Sequence, residues 1–114
     1  MAKYEKHLIG DFAQVLNKIN GDVINSAMTM NLVDQSDYED GETKIAVRVY
    51  DKYFMRNSSR ASLSLTILGV GESLFVTAIG AGGGQGIIFN FSLGAESDMV
   101  RLVETSVLNL THGI

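Results

Sequence analysis

The 114-residue sequence predicts an α+β fold, a two-layer sandwich with an N-terminal and a C-terminal helix packed on one face of an antiparallel sheet. Three observations predict it. An apolar stripe at helical period stands near each end of the chain. Between the two stripes the apolar residues recur at period two, in about five segments. The connections between those segments are too short for parallel crossovers, so neighbouring strands run antiparallel.

Each element follows in order. "KYEKHLI" (3–9) reads as a short strand. Phe12, Val15, Leu16 and Ile19 recur at i, i+3, i+4 and i+7, which predicts a helix over 11–20. Asp11 stands at its N-cap, and Gln14 completes a capping-box pattern. Gly21 offers the left-handed conformation that closes a helix, with "DVIN" (22–25) as one further turn. The strands follow. "AMTMNLV" (27–33) turns Met28, Met30 and Leu32 inward; "KIAVRVY" (44–50) turns Ile45, Val47 and Val49 inward. "ASLSLTIL" (61–68) turns Ala61, Leu63, Leu65 and Ile67 inward. "LFVTAI" (74–79) is apolar on both faces, as a central or doubly covered strand is, and "IIFNFSL" (87–93) alternates again. A helix over 95–111 closes the chain, with Met99, Leu102, Val103, Val107 and Leu110 on one face, Glu96 and Asp98 in its first turn and Gly113 as C-cap.

Composition narrows the function classes. Hydrophobic residues make up 46% and charged residues 19%, the balance of a soluble globular chain, read as a single α+β domain over 1–114. No apolar run approaches a membrane span, and the N-terminus carries no continuous apolar signal segment. Cysteine is absent, which removes disulfides, thiolate nucleophiles and thiolate metal sites, and the expected compartment is the cytoplasm. The net charge of −4 argues against general nucleic-acid binding. No catalytic, cofactor-binding or metal-binding residue is assigned. His7 and His112 stand at opposite ends of the chain, and no Gly-x-Ser-x-Gly elbow occurs.

"GAGGGQG" (80–86) raises the question of a phosphate cradle. Neither the dinucleotide spacing nor a P-loop fits, because Gln85 stands where each pattern starting at Gly80 needs a glycine, and no lysine follows. The segment reads instead as a hairpin connection between the last two strands. Its excess of glycine suggests close backbone approach to the C-terminal helix, a partner chain or a ligand. The acidic stretch 34–42, "DQSDYEDGE", fails the calcium-loop pattern and reads as a solvated hairpin loop.

Three surfaces are candidates. Lys44, Arg48, Lys52, Arg56 and Arg60 are spaced by four. Lys44, Arg48 and Lys52 then share the outer sheet face with Tyr50, as an anion or nucleic-acid contact or a solvated edge. Met28, Met30, Phe89, Phe91, Met99 and Val103 line an apolar pocket between sheet and C-terminal helix, or a filled core. Thr29, Asn31, Ser62, Ser64, Thr66, Asn90 and Ser92, with Ala46 and Ile88, make the outer sheet face small and hydroxyl-rich, which suits packing against a second copy.

The run "VYDKYFMRNSSRASLSLTILG", then "VTAIGAGGGQGIIF" and an amphipathic helix, resembles a family of small uncharacterised bacterial proteins bearing a domain-of-unknown-function label. That resemblance implies no activity and transfers no site. The element order is also similar to the helix-grip, START-like domains, a likeness that implies an apolar cavity under the last helix. The leading expectation is a non-enzymatic binding or assembly module that forms a homodimer through its outer sheet face. A small apolar-ligand carrier and an anion- or nucleic-acid-binding protein stand behind it.

Overall fold

The computed structural model describes residues 2–55, 58–82 and 92–112. The chain runs as β1 (Ala2–Ile9), α1 (Phe12–Ile24), β2 (Met30–Asp40), β3 (Thr43–Phe54), β4 (Ser59–Val70), β5 (Ser73–Gly82) and α2 (Ser92–His112). The five strands form one antiparallel sheet in the order β1-β5-β4-β3-β2, so β1 and β2 are its edges and β4 its centre. Both helices lie on one face: α2 over β4, β5 and β1, and α1 beside α2, against β2, β3 and β4. The fold is the α+β arrangement that the two helical stripes and the period-two segments predict.

Helix α1 begins where Asp11 caps it, its carboxylate accepting the Gln14 backbone N–H at 2.9 Å. It runs through Gly21 rather than ending there, because Val23 is fully buried and anchors the added turn; Asn25 is the C-cap. The two helices are tied through Asp22. Lys18 Nζ and Ser106 Oγ, the latter from α2, both donate to Asp22 Oδ2 at 2.7 Å. These donors hold the Asp22 carboxyl below its ordinary value of 3.8, Lys18 first and then Ser106. The stability it contributes is therefore present above that value and lost as pH falls through the lower folded one. Asp22→Asn should be less stable than the wild type at neutral pH, with the difference shrinking as pH falls below the ordinary carboxyl value, as urea unfolding across that range reads.

The core joins Val15, Ile19 and Val23 of α1 to Leu63, Leu65 and Ile67 of β4, Leu74 and Val76 of β5, and Met99, Val103 and Val107 of α2. Each such side chain taken out of water contributes about 1.5–3 kcal/mol. Tyr50 is the largest fully buried side chain, and its hydroxyl donates to Asn20 Oδ1 at 2.6 Å. Burial pushes its phenol up from 10.0 to about 12, against a smaller opposing pull from Arg48. The folded value lies above the unfolded one, so this stability is whole below the ordinary value and drains as pH rises towards the folded one. Tyr50→Phe should cost about 1 kcal/mol at neutral pH and flatten the alkaline loss, measured by chemical denaturation across that range.

Several expectations change. Strand β2 does not stop at residue 33: it continues through the acidic stretch to Asp40, and the hairpin to β3 is only Gly41–Glu42, with Gly41 at φ +62°. At a sheet edge exposed on both faces, acids cost nothing by burial, and the backbone ladder to β3 holds the strand. Strand β3 has the opposite facing from that expected. Ala46, Arg48, Tyr50 and Phe54 are buried under the helices, while Ile45, Val47 and Val49 point to the other face. The register sets this: Tyr50 pairs with Leu63 and Ala46 with Ile67, both buried on the helix side.

Strand β5 is paired on both sides, by β1 and by β4, so it has no free edge for a hairpin partner from 87–93. Residues 83–91 lie outside the described residues, as does Gly113, and residues 92 and 93 belong to α2. Helix α2 therefore begins three residues before the expected start. Glu96 falls in its second turn, where its Oε2 accepts the Gly82 backbone N–H at 2.7 Å.

Candidate interaction face

The helix-free face of the sheet is built by alternate residues of all five strands. Cross-strand register arranges them in rows. Lys3, Ile79, Ser64, Val49 and Asp34 form one row; Glu5, Thr77, Thr66, Val47 and Ser36 the next; His7, Phe75, Leu68, Ile45 and Tyr38 the third. The middle of each row is apolar or hydroxyl-bearing, and the charges sit at the edges. No described element covers these rows. Leu68 is 38% exposed and Ile79 39%, while Ile45, Val47, Val49 and Phe75 are half-buried by their neighbours alone. Large apolar side chains standing together on a sheet are unlike the scattered apolar residues of an ordinary surface.

Two groups of polar side chains on this face are paired. Thr77 Oγ1 donates to Glu5 Oε2 at 3.3 Å. Asp51 accepts from Arg60 at 3.2 Å and from Asn31 at 3.3 Å, and the Arg60 guanidinium lies 5.7 Å from the Tyr53 ring. The His7 ring sits 4.9 Å from that of Phe75.

Of the expected dimer face, Asn31, Ser62, Ser64 and Thr66 lie here. Thr29 precedes β2, its hydroxyl donating to the Tyr53 carbonyl at 3.1 Å. Ala46 is buried under the helices, Ser92 opens α2, and Ile88 and Asn90 lie outside the described residues. The apolar members Ile45, Val47, Val49, Phe75, Leu68 and Ile79 were not expected as part of this surface. The signal for Phe75 and Ile79 was on hand, in the two-sided apolarity of β5.

The basic series does not form an outer stripe. Lys44, Arg48 and Lys52 do share a face with Tyr50, but it is the helix face. Arg48 is buried, donating to Asp37 at 2.8 and 3.4 Å and to the Val47 carbonyl at 3.0 Å. Lys44 lies 5.9 Å from the Phe12 ring and Lys52 4.5 Å from that of Phe54. Arg60 is on the opposite face, paired with Asp51. Arg56 lies outside the described residues.

The expected apolar pocket also divides. Met30, Met99 and Val103 are packed into the core, whereas Met28 is fully exposed before β2. Phe89 and Phe91 lie outside the described residues. An open groove of about 600 Å³ lies between α2, α1 and the end of β3, lined by Phe54, Met99 and Leu102 together with Lys18, Asp22, Lys52 and Arg101.

The glycines resolve in part. A Cβ at Gly80 would stand 2.7 Å from the Glu96 carbonyl oxygen and 3.0 Å from Val100 Cγ2. The backbone of β5 therefore approaches the backbone of α2, the first of the three occupants that the glycine excess suggested.

Among the described residues no group of three or more His, Cys, Asp or Glu could hold a metal ion, and no helix is long and apolar enough to cross a membrane. The fold and face define a two-layer α+β sandwich with one sheet face over which no described element packs. The model of the DUF6054 family, a family of unknown function, matches residues 1–111, and the chain belongs to that family. No curated protein and no solved structure matches it, so the helix-grip likeness finds no solved counterpart.

Proposed function

We propose that the chain is a non-enzymatic assembly module that self-associates through the sheet face opposite its helices. The observation that carries the reading is the set of apolar rows through Ile45, Val47, Val49, Leu68, Phe75 and Ile79, over which no described element packs. Sheets with one apolar face bury it against another layer.

A second copy is the occupant that the dimensions favour. Strands of up to 12 residues in a five-stranded sheet make a face of roughly 40 by 20 Å, on the order of 800 Å². That is what each partner of a standard stable interface buries. The small Ser62, Ser64 and Thr66 along central β4 let two copies approach closely, and their hydroxyls can pair across a symmetric contact. Native mass spectrometry at micromolar concentration should give twice the chain mass. A chain that stays monomeric there would overturn the reading.

A further inference from the structure

We infer that two copies meet about a two-fold axis running along the strands beneath β4, so that β1 of each copy lies over β2 of the other. The inference rests on self-association through the open face and adds its geometry.

Aligned packing of two sheets keeps their strand directions within about 30°. A two-fold relating two facing sheets must then run nearly along the strands or nearly across them. The two solutions differ at the edges. An axis across the strands sets β1 over β1 and β2 over β2. On the open face strand β2 presents Asp34 and Asp40 and no base, so that arrangement sets one acidic edge over the other. An axis along the strands reverses each cross-sheet row onto itself, because β4 is the central strand.

The consequences follow row by row. Lys3 comes to lie over Asp34 of the second copy, Ile79 over Val49 and Ser64 over Ser64. In the third row Phe75 meets Ile45 and Leu68 meets Leu68. Apolar residues face apolar ones, and the one row with a base at one end and an acid at the other closes into two ion pairs. The Lys3 stem is long enough to span the offset that the inter-sheet rotation introduces at the edges. Lys3 and Asp34 are both exposed within one copy, so changing them leaves the core intact.

Sedimentation equilibrium of Lys3→Glu, Asp34→Lys and the double variant tests the geometry. Each single reversal should weaken the dimer about tenfold or more, and the double variant, which swaps the charges, should return to within a few-fold of the wild type. A dimer in which the two reversals add instead of compensating overturns the axis and leaves self-association standing. A wild type that is monomeric overturns the reading beneath it.

The chain has no cysteine, which permits a second measurement. Ser62→Cys and Leu68→Cys should each cross-link to their own copy with a short bismaleimide, since both lie on the axis. An axis across the strands brings at most one of these two positions, roughly 20 Å apart along β4, onto itself. Cross-linking at only one of them therefore overturns the proposal.

Discussion

Gly80→Ala should destabilise the protein by about 2–3 kcal/mol and lower its melting temperature by roughly 10 °C. A Cβ at this position stands 2.7 Å from the Glu96 carbonyl oxygen, which is helix backbone and has no rotamer to escape into. Relief requires α2 to move off β5. That movement strains the bond from the Gly82 N–H to Glu96 Oε2 and opens the buried contacts of Ala95, Met99 and Val100. Gly69→Ala makes the informative contrast. Its Cβ would meet Leu74 Cδ2 and Phe12 Cδ1, both at 2.9 Å, but those are ends of side chains that can rotate. The loss there should be about 1 kcal/mol. Equal losses at the two sites, in denaturant unfolding, would contradict the close approach of β5 to α2.

Val47→Lys should convert the proposed dimer to a monomer while leaving the melting curve of the single chain nearly unchanged. Val47 lies next to the central strand, opposite Thr66, on the face without helices. Within one copy a lysine there reaches water. In a face-to-face dimer its ammonium is taken out of water between the two sheets, a cost of several kcal/mol and at least a hundredfold in affinity. Arg48→Ala, one residue on, should do the reverse. Arg48 lies under the helix layer and ties β3 to Asp37 of β2, so its loss should weaken the fold and not the association. Light scattering and circular dichroism on the two variants separate these effects.

Which parts of the structure the sequence announces depends on burial. Helix α1, strand β4 and helix α2 each have one side fully buried and one wet, and their apolar periods read directly. Strand β3 has apolar or amphipathic residues at both parities. Its alternation of Ile45, Val47 and Val49 with Lys44, Ala46 and Arg48 pointed the wrong way, because Tyr50 and Phe54 continue the second set and fill the core. Arg48 tolerates that place because it is hydrogen-bonded to Asp37, a partner invisible without the pairing of β2. The second half of β2 carries no burial signal at all, since its side chains are exposed and the backbone ladder to β3, with the Arg48–Asp37 pair, holds it.

The candidate face inherits both errors. Its serines and threonine on β4 were legible, and so was Asn31 on β2. Its apolar rows are not, since the alternation in 44–50 turns Ile45, Val47 and Val49 inward. The glycine run was legible as a place of close approach, but Gly80 could be matched to Glu96 only once α2 was in position.

The most direct test of the central claim is isotope-filtered NMR on a mixture of labelled and unlabelled chains, which detects contacts between copies alone. Intermolecular contacts among the methyl groups of Ile45, Val47, Val49, Leu68 and Ile79 are the predicted result. Their absence from a dimer, with contacts arising from α1 or α2 instead, would place the interface on the other side of the molecule and contradict the account.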